Sequence, residues 1–167
     1  MFQVGDQVVY GIHGICRILD QEEQLVSRKR IRYFILEPLD QPGTRYLIPS
    51  ENPAALAKLR PIISREELEA LLSSADNWRN CWIDDENLRK QRYRELINSG
   101  DRGALLGRVC ALYQHKVEQA AVGRKFHLCD ENFLRDARKL LDAEFSLVLG
   151  IQPSDVETFI ISALGIA

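Results

Sequence analysis

Apolar positions along the chain change period once. Up to residue 50 they come in short runs: Val8 to Tyr10, Ile15 to Ile18, Arg30-Ile31-Arg32-Tyr33-Phe34-Ile35-Leu36, and Thr44-Arg45-Tyr46-Leu47-Ile48-Pro49. β-Branched and aromatic residues fill these runs, as half-buried strands require. Gly5-Asp6, the segment Gly11 to Gly14, and Asp40-Gln41-Pro42-Gly43 separate them with turn chemistry. Pro49 closes the last run, because proline has no N–H for a ladder. Four or five short strands with no helix between them predict a small β-barrel over residues 1–55. Residues 50–63 read as a connector containing a short helical turn.

From Ser64 the spacing becomes helical. Ser64-x-x-Glu67 is a capping box, followed by Leu68, Leu71 and Leu72 on one face. Asp84 or Asp85 caps a second helix bearing Leu88, Tyr93, Leu96 and Ile97, which stops at Ser99-Gly100. Asp101 caps a third, with Leu105, Val109, Leu112, Tyr113 and Lys116, ending near Gly123. Asp130 starts a long fourth helix through Phe133, Leu141 and Phe145 to Gly150. Pro153 with Ser154-x-x-Glu157 opens a fifth. The expectation is therefore an α+β chain of two domains: an SH3/Tudor-like barrel, then a compact five-helix domain over residues 64–167.

Composition changes this picture little. At 46% hydrophobic and 28% charged residues, the 167-residue chain can bury a real core. No apolar run approaches the ~20 residues that span a bilayer, and no basic-then-apolar leader opens the chain, so the expected location is cytoplasmic. Cys16, Cys81, Cys110 and Cys129 lie far apart with no C-x-x-C pair, which reads as reduced thiols. Charge distribution says more than the net of −2. Residues 1–60, 61–77, 78–128 and 129–167 carry +1, −3, +4 and −4. The positive block begins at two tryptophans, Trp78 and Trp82.

Catalytic patterns are absent. His13, His115 and His127 do not cluster with carboxylates or cysteines, and Asp84-Asp85-Glu86 is the acidic start of a helix. No phosphate loop, nucleophile elbow, zinc-protease motif or carboxylate pair stands out. No cofactor, metal site or catalytic residue is expected. The positive block is more informative. Arg89, Lys90, Arg92 and Arg94 fall within six residues, and Lys116, Arg124 and Lys125 extend the track. A tryptophan beside such cations suits a groove-inserting wedge with phosphate contacts on either side. The competing reading makes the tryptophans core anchors and the cations a solvated helix face.

Several segments resemble one family. Val4-Gly5-Asp6, Val8-Val9-Tyr10 and His13-Gly14-Ile15 are similar to the start of the CarD/CdnL bacterial transcription regulators. That module also occurs in the transcription-repair coupling factor as an RNA-polymerase-binding domain. Trp82-Ile83-Asp84-Asp85, then Tyr93-Arg94-Glu95-Leu96-Ile97-Asn98-Ser99-Gly100-Asp101, resembles a later segment of these proteins. So do Leu112 to Lys116, Asp130 to Leu134 and Leu140 to Phe145, in the family's order.

The resemblance implies a Tudor-like domain that docks on the polymerase β subunit by adding a strand edge. That edge is expected at Arg45, Tyr46, Leu47 and Ile48, with Leu47 where some relatives carry arginine. It also implies a helical domain touching promoter DNA at the upstream edge of the bubble, through the minor groove and backbone with low sequence specificity. The DNA-contact expectation covers Trp82, Trp78, Arg89, Lys90, Arg92, Lys116, Arg124 and Lys125, with Trp82 ahead of Trp78 as wedge. The implied protein is a monomeric, non-catalytic regulator of open-complex stability, held at the nucleoid through polymerase and free of membranes. The alternative is an adaptor whose helical domain meets a second protein.

Overall fold

The computed structural model describes residues 1–74 and 82–166. The chain divides into two compact units, residues 1–62 and 63–167.

The first unit is a five-stranded antiparallel sheet. Its strands are β1 (Gln7–Tyr10), β2 (Ile15–Val26), β3 (Lys29–Pro38), β4 (Tyr46–Pro49) and β5 (Leu59–Pro61), in the order β4-β3-β2-β1-β5. A short 3-10 turn at Gly11–His13 joins the first two strands. Gly14 follows it at φ 77°, a left-handed backbone that glycine adopts without a Cβ clash. Alternation sends Val8, Cys16, Ile18, Phe34, Leu36 and Ile48 to one face, where they form the core with Leu59. The stretch read as a connector does more than connect. It supplies α1 (Pro53–Leu56), capped by Asn52, and β5, whose Val8↔Pro61 register places it beside β1. Its three residues carry no alternating pattern; the exposed edge of β1 made them a strand. No ladder joins β4 to β5 among the described residues, so the observed architecture is the sheet itself.

The second unit contains α2 (Arg65–Ser73), α3 (Glu86–Ser99), α4 (Arg102–Ala121), α5 (Leu128–Leu149) and α6 (Val156–Leu164). The Ser64/Glu67 capping box is complete, Asp85 and Asp101 cap α3 and α4, and Gly100 and Gly150 end α3 and α5 at positive φ. Leu106, Val109, Leu112, Ala137, Leu141, Phe145 and Ile160 are essentially sealed from solvent. Each large side chain buried this way contributes about 1.5–3 kcal/mol.

Two expected caps are corrected. Asp130 does not start α5; His127 occupies the N-cap, and Asp130 lies within the first turn, fully buried. Ser154 does not cap α6, because Pro153–Asp155 form a 3-10 turn that precedes it.

Candidate functional site

β4 is an edge strand. It pairs with β3 through Tyr33↔Pro49 to Leu36↔Tyr46, and among the described residues no strand pairs with its other side, the arrangement that strand addition uses. The expected residues divide by parity. Leu47 is 45% exposed, whereas Ile48 is 2% exposed and belongs to the core, so Ile48 offers only its main chain. Tyr46 closes an aromatic cluster, its ring 4.6 Å from His13 and 5.5 Å from Tyr10 between centroids. Arg45 precedes the strand and binds the Glu37 carboxylate. The Gly43 N–H and then the Arg45 charge hold Glu37 below the usual carboxylate range. Arg45 is thus anchored to its own sheet, with an exposed aliphatic stem.

The start of the positive block folds inward. Arg89 is buried, with its Nε 2.8 Å from Asp130 Oδ1 and its Nη2 3.2 Å from Oδ2. Its Nη1 donates to the carbonyls of Ile83 and Asp84 at 3.0 and 3.2 Å. Tyr93 donates its hydroxyl to the same Asp130 oxygen at 2.6 Å. Burial acts to lower the Arg89 pKa, but the Asp130 bonds and charge outweigh it and raise it; burial and Asp130 both push Tyr93 up. The expectation that Arg89 touches phosphate finds a guanidinium already buried and bonded. Its guanidinium is held against Asp130 and two carbonyls inside the helical unit.

Trp82 belongs to the same cluster. Its indole stacks on His115 at 3.6 Å between centroids, with the Arg89 guanidinium 4.6 Å from the ring. Its Nε1 donates to Asp84 at 2.8 Å. It is half-buried and packs against the helical core. Burial pushes the His115 pKa down, favouring a neutral imidazole in the stack. An indole held this way would have to leave His115 to enter a groove. Trp78 lies outside the described residues.

The other expected cations separate into two groups. On α3, Lys90 pairs with Glu86 at 2.6 Å and Arg92 with Glu95 at 3.1 Å. On the α4 side, Lys116, Arg124 and Lys125 are exposed, and none of them forms an ion pair among the described residues. Lys116 rests 5.7 Å from the Phe126 ring, next in line after the Trp82–His115 stack.

Sequence reasoning missed Asp130, Tyr93 and His115 as one network. The partners are up to 41 residues apart, and only Arg89-x-x-x-Tyr93 shares a helical face. It also missed Arg135, Arg138 and Lys139, whose charge is submerged in the acidic C-terminal segment. Among the described residues, no set of three or more His, Cys, Asp or Glu side chains is arranged to hold a metal. The described cysteines are free thiols, and burial pushes Cys16 up to about 11. No single described helix is long and apolar enough to cross a membrane.

Comparison with known families gives one match. Residues 2–63 fit the family model of the CarD-like/TRCF RID domain, which spans the whole five-stranded sheet and ends where the second unit begins. No curated protein matches the chain.

Proposed function

We propose, from the premise that residues 2–63 form a CarD-like RNA-polymerase-interacting domain, that this protein regulates transcription initiation by docking on polymerase and bringing its helical unit to promoter DNA. The domain family is non-catalytic and points to RNA polymerase as partner. The β subunit is the proposed contact, through strand addition at β4, with Leu47 and the main chain of Ile48 at the junction. The open edge of β4 within a matched polymerase-interacting domain is the observation that carries this reading.

DNA contact through the helical unit rests on its exposed cations. Among the described residues Lys116, Arg124 and Lys125 form no ion pair, while Lys90 and Arg92 are shared with glutamates. A few phosphate contacts give weak, salt-sensitive affinity. A docked sheet makes the second contact intramolecular, at an effective concentration that reaches roughly millimolar. Tighter binding to the melted promoter than to the closed one would then shift opening, by at most the difference in binding energy. Trp82 supports that surface by packing against His115. The packed states of Trp82 and Arg89 favour a second reading, in which the helical unit meets a protein.

The test is co-purification with polymerase, alongside open-complex lifetime on a linear promoter. Leu47→Asp should abolish capture by the isolated β lobe. Failure of the wild type to bind that lobe would sink the docking claim. If lifetime is unaffected by the wild-type protein while polymerase capture persists, the adaptor reading replaces DNA contact.

A further inference from the structure

Residues 129–167 are the most acidic stretch of the chain, with three basic side chains against seven acidic ones. All three cations, Arg135, Arg138 and Lys139, line one groove. Lys116 of α4 joins them, and the groove measures about 410 Å³. Helical spacing explains the gathering: Glu131, Arg135, Arg138 and Asp142 recur every three to four residues along α5, so they share a stripe facing Lys116. The segment's three basic side chains are thus gathered at one place rather than spread along it.

The surrounding carboxylates are unevenly committed. Glu157 and Asp142 hold Arg138, at 2.8 and 3.5 Å, and Asp136 meets Arg135 at 3.3 Å on the open surface. Glu131 lines the groove as well. Lys116 and Lys139 are exposed, and neither forms an ion pair among the described residues. The Nε of Arg138 is buried with no acceptor. The groove therefore offers two ammonium groups without an ion pair among the described residues, Lys116 and Lys139, which suit the oxygens of a phosphate. By contrast, α3 has buried Arg89 and neutralised Lys90 and Arg92 locally.

We propose that the α4–α5 groove is where the helical unit seats the phosphodiester backbone of duplex DNA, with Lys116 and Lys139 as the contacting cations. This rests on the DNA-contact reading above and extends it from Lys116 on α4 to α5. Lys139 and Arg135 enter the interface, and Arg89 leaves it.

Fluorescence anisotropy of the full chain on a labelled 20-base-pair duplex, titrated with salt, tests the groove. Circular dichroism checks that each variant is folded. Lys116→Ala/Lys139→Ala should weaken binding and reduce the slope of log K against log salt by about 2, near one unit per lost phosphate contact. Arg92→Ala/Arg94→Ala should change it far less. The reverse ranking, with wild-type binding intact, overturns the groove while leaving DNA contact standing. A wild type that binds no duplex, alone or on polymerase, overturns the DNA reading and the groove with it. Inorganic phosphate is titrated separately by thermal shift; protection that needs Lys116 and Lys139 without any duplex effect would assign a small-anion pocket instead. Loss of polymerase capture with duplex binding unchanged would assign the groove to protein and also overturn the proposal.

Discussion

Arg89→Ala separates the two roles open to that side chain. A phosphate contact would cost DNA affinity and leave stability alone. In the structure, truncation strands the Asp130 carboxylate, which is 0% exposed, with the Tyr93 hydroxyl still donating to it. It also frees the Ile83 and Asp84 carbonyls. Five guanidinium and phenol hydrogen bonds converge in this network, and a hydrogen bond to a charged group is worth about 1.5–3 kcal/mol net. Breaking a buried pair from one side costs about 3–5 kcal/mol net, because the surviving charge stays buried. Against a domain stability of roughly 5–15 kcal/mol, that is a large share. Urea unfolding followed at 222 nm reports the helical unit, and its midpoint should fall steeply with little change in slope. Arg89→Ala/Asp130→Leu should recover part of the loss, as removing both charges relieves the penalty. A single-variant loss below about 1 kcal/mol, the scale of a surface pair, would refute the assignment and return Arg89 to the candidate interface.

Other outcomes follow from the same coordinates. Asp142 is 15% exposed, and burial pushes its pKa from 3.8 to about 6 against the opposing pull of Arg138. Its folded pKa is raised, so its favourable contribution is fully present below about pH 3.8 and lost as pH rises through about 6. Asp142→Asn should therefore stabilise the protein at pH 8 by up to about 3 kcal/mol and flatten the stability profile between those pH values; an unchanged profile in chemical denaturation would count against it. Gly100→Ala, at φ 72° after α3, should cost about 1 kcal/mol in the same unfolding assay. Ser64→Ala removes the reciprocal cap of α2 and should cost about 1 kcal/mol, with a null result in thermal melts arguing that α2 frays regardless. Lys90→Ala should change stability by less than about 0.5 kcal/mol, since its Glu86 pair is solvent-exposed.

Local chemistry determined much of this protein without help from the fold. The glycine turns and alternating runs set β1 to β4, and Ser64, Asp85, Asp101, Gly100 and Gly150 set helix ends because caps and left-handed stops act over three or four residues. The β4 edge was expected from the family resemblance and not from local spacing, since strand order depends on pairing across the sheet. β5 was not, because three residues without alternation become a strand only when β1 offers them a ladder. The site shows the sharper division. Sequence spacing counts Arg89 as one of four neighbouring cations and places Leu88 on the apolar face of α3. Folding reverses those two positions: Leu88 is 58% exposed, and Arg89 joins Tyr93 and Leu96 inside. A buried guanidinium is tolerated only where a carboxylate meets it, and that carboxylate, Asp130, arrives from another helix. Composition fixed the positive charge of residues 78–128; tertiary packing decided which cations face solvent, by bringing the distant Asp130 to Arg89 and, among the described residues, no counter-charge to Lys116 or Lys139.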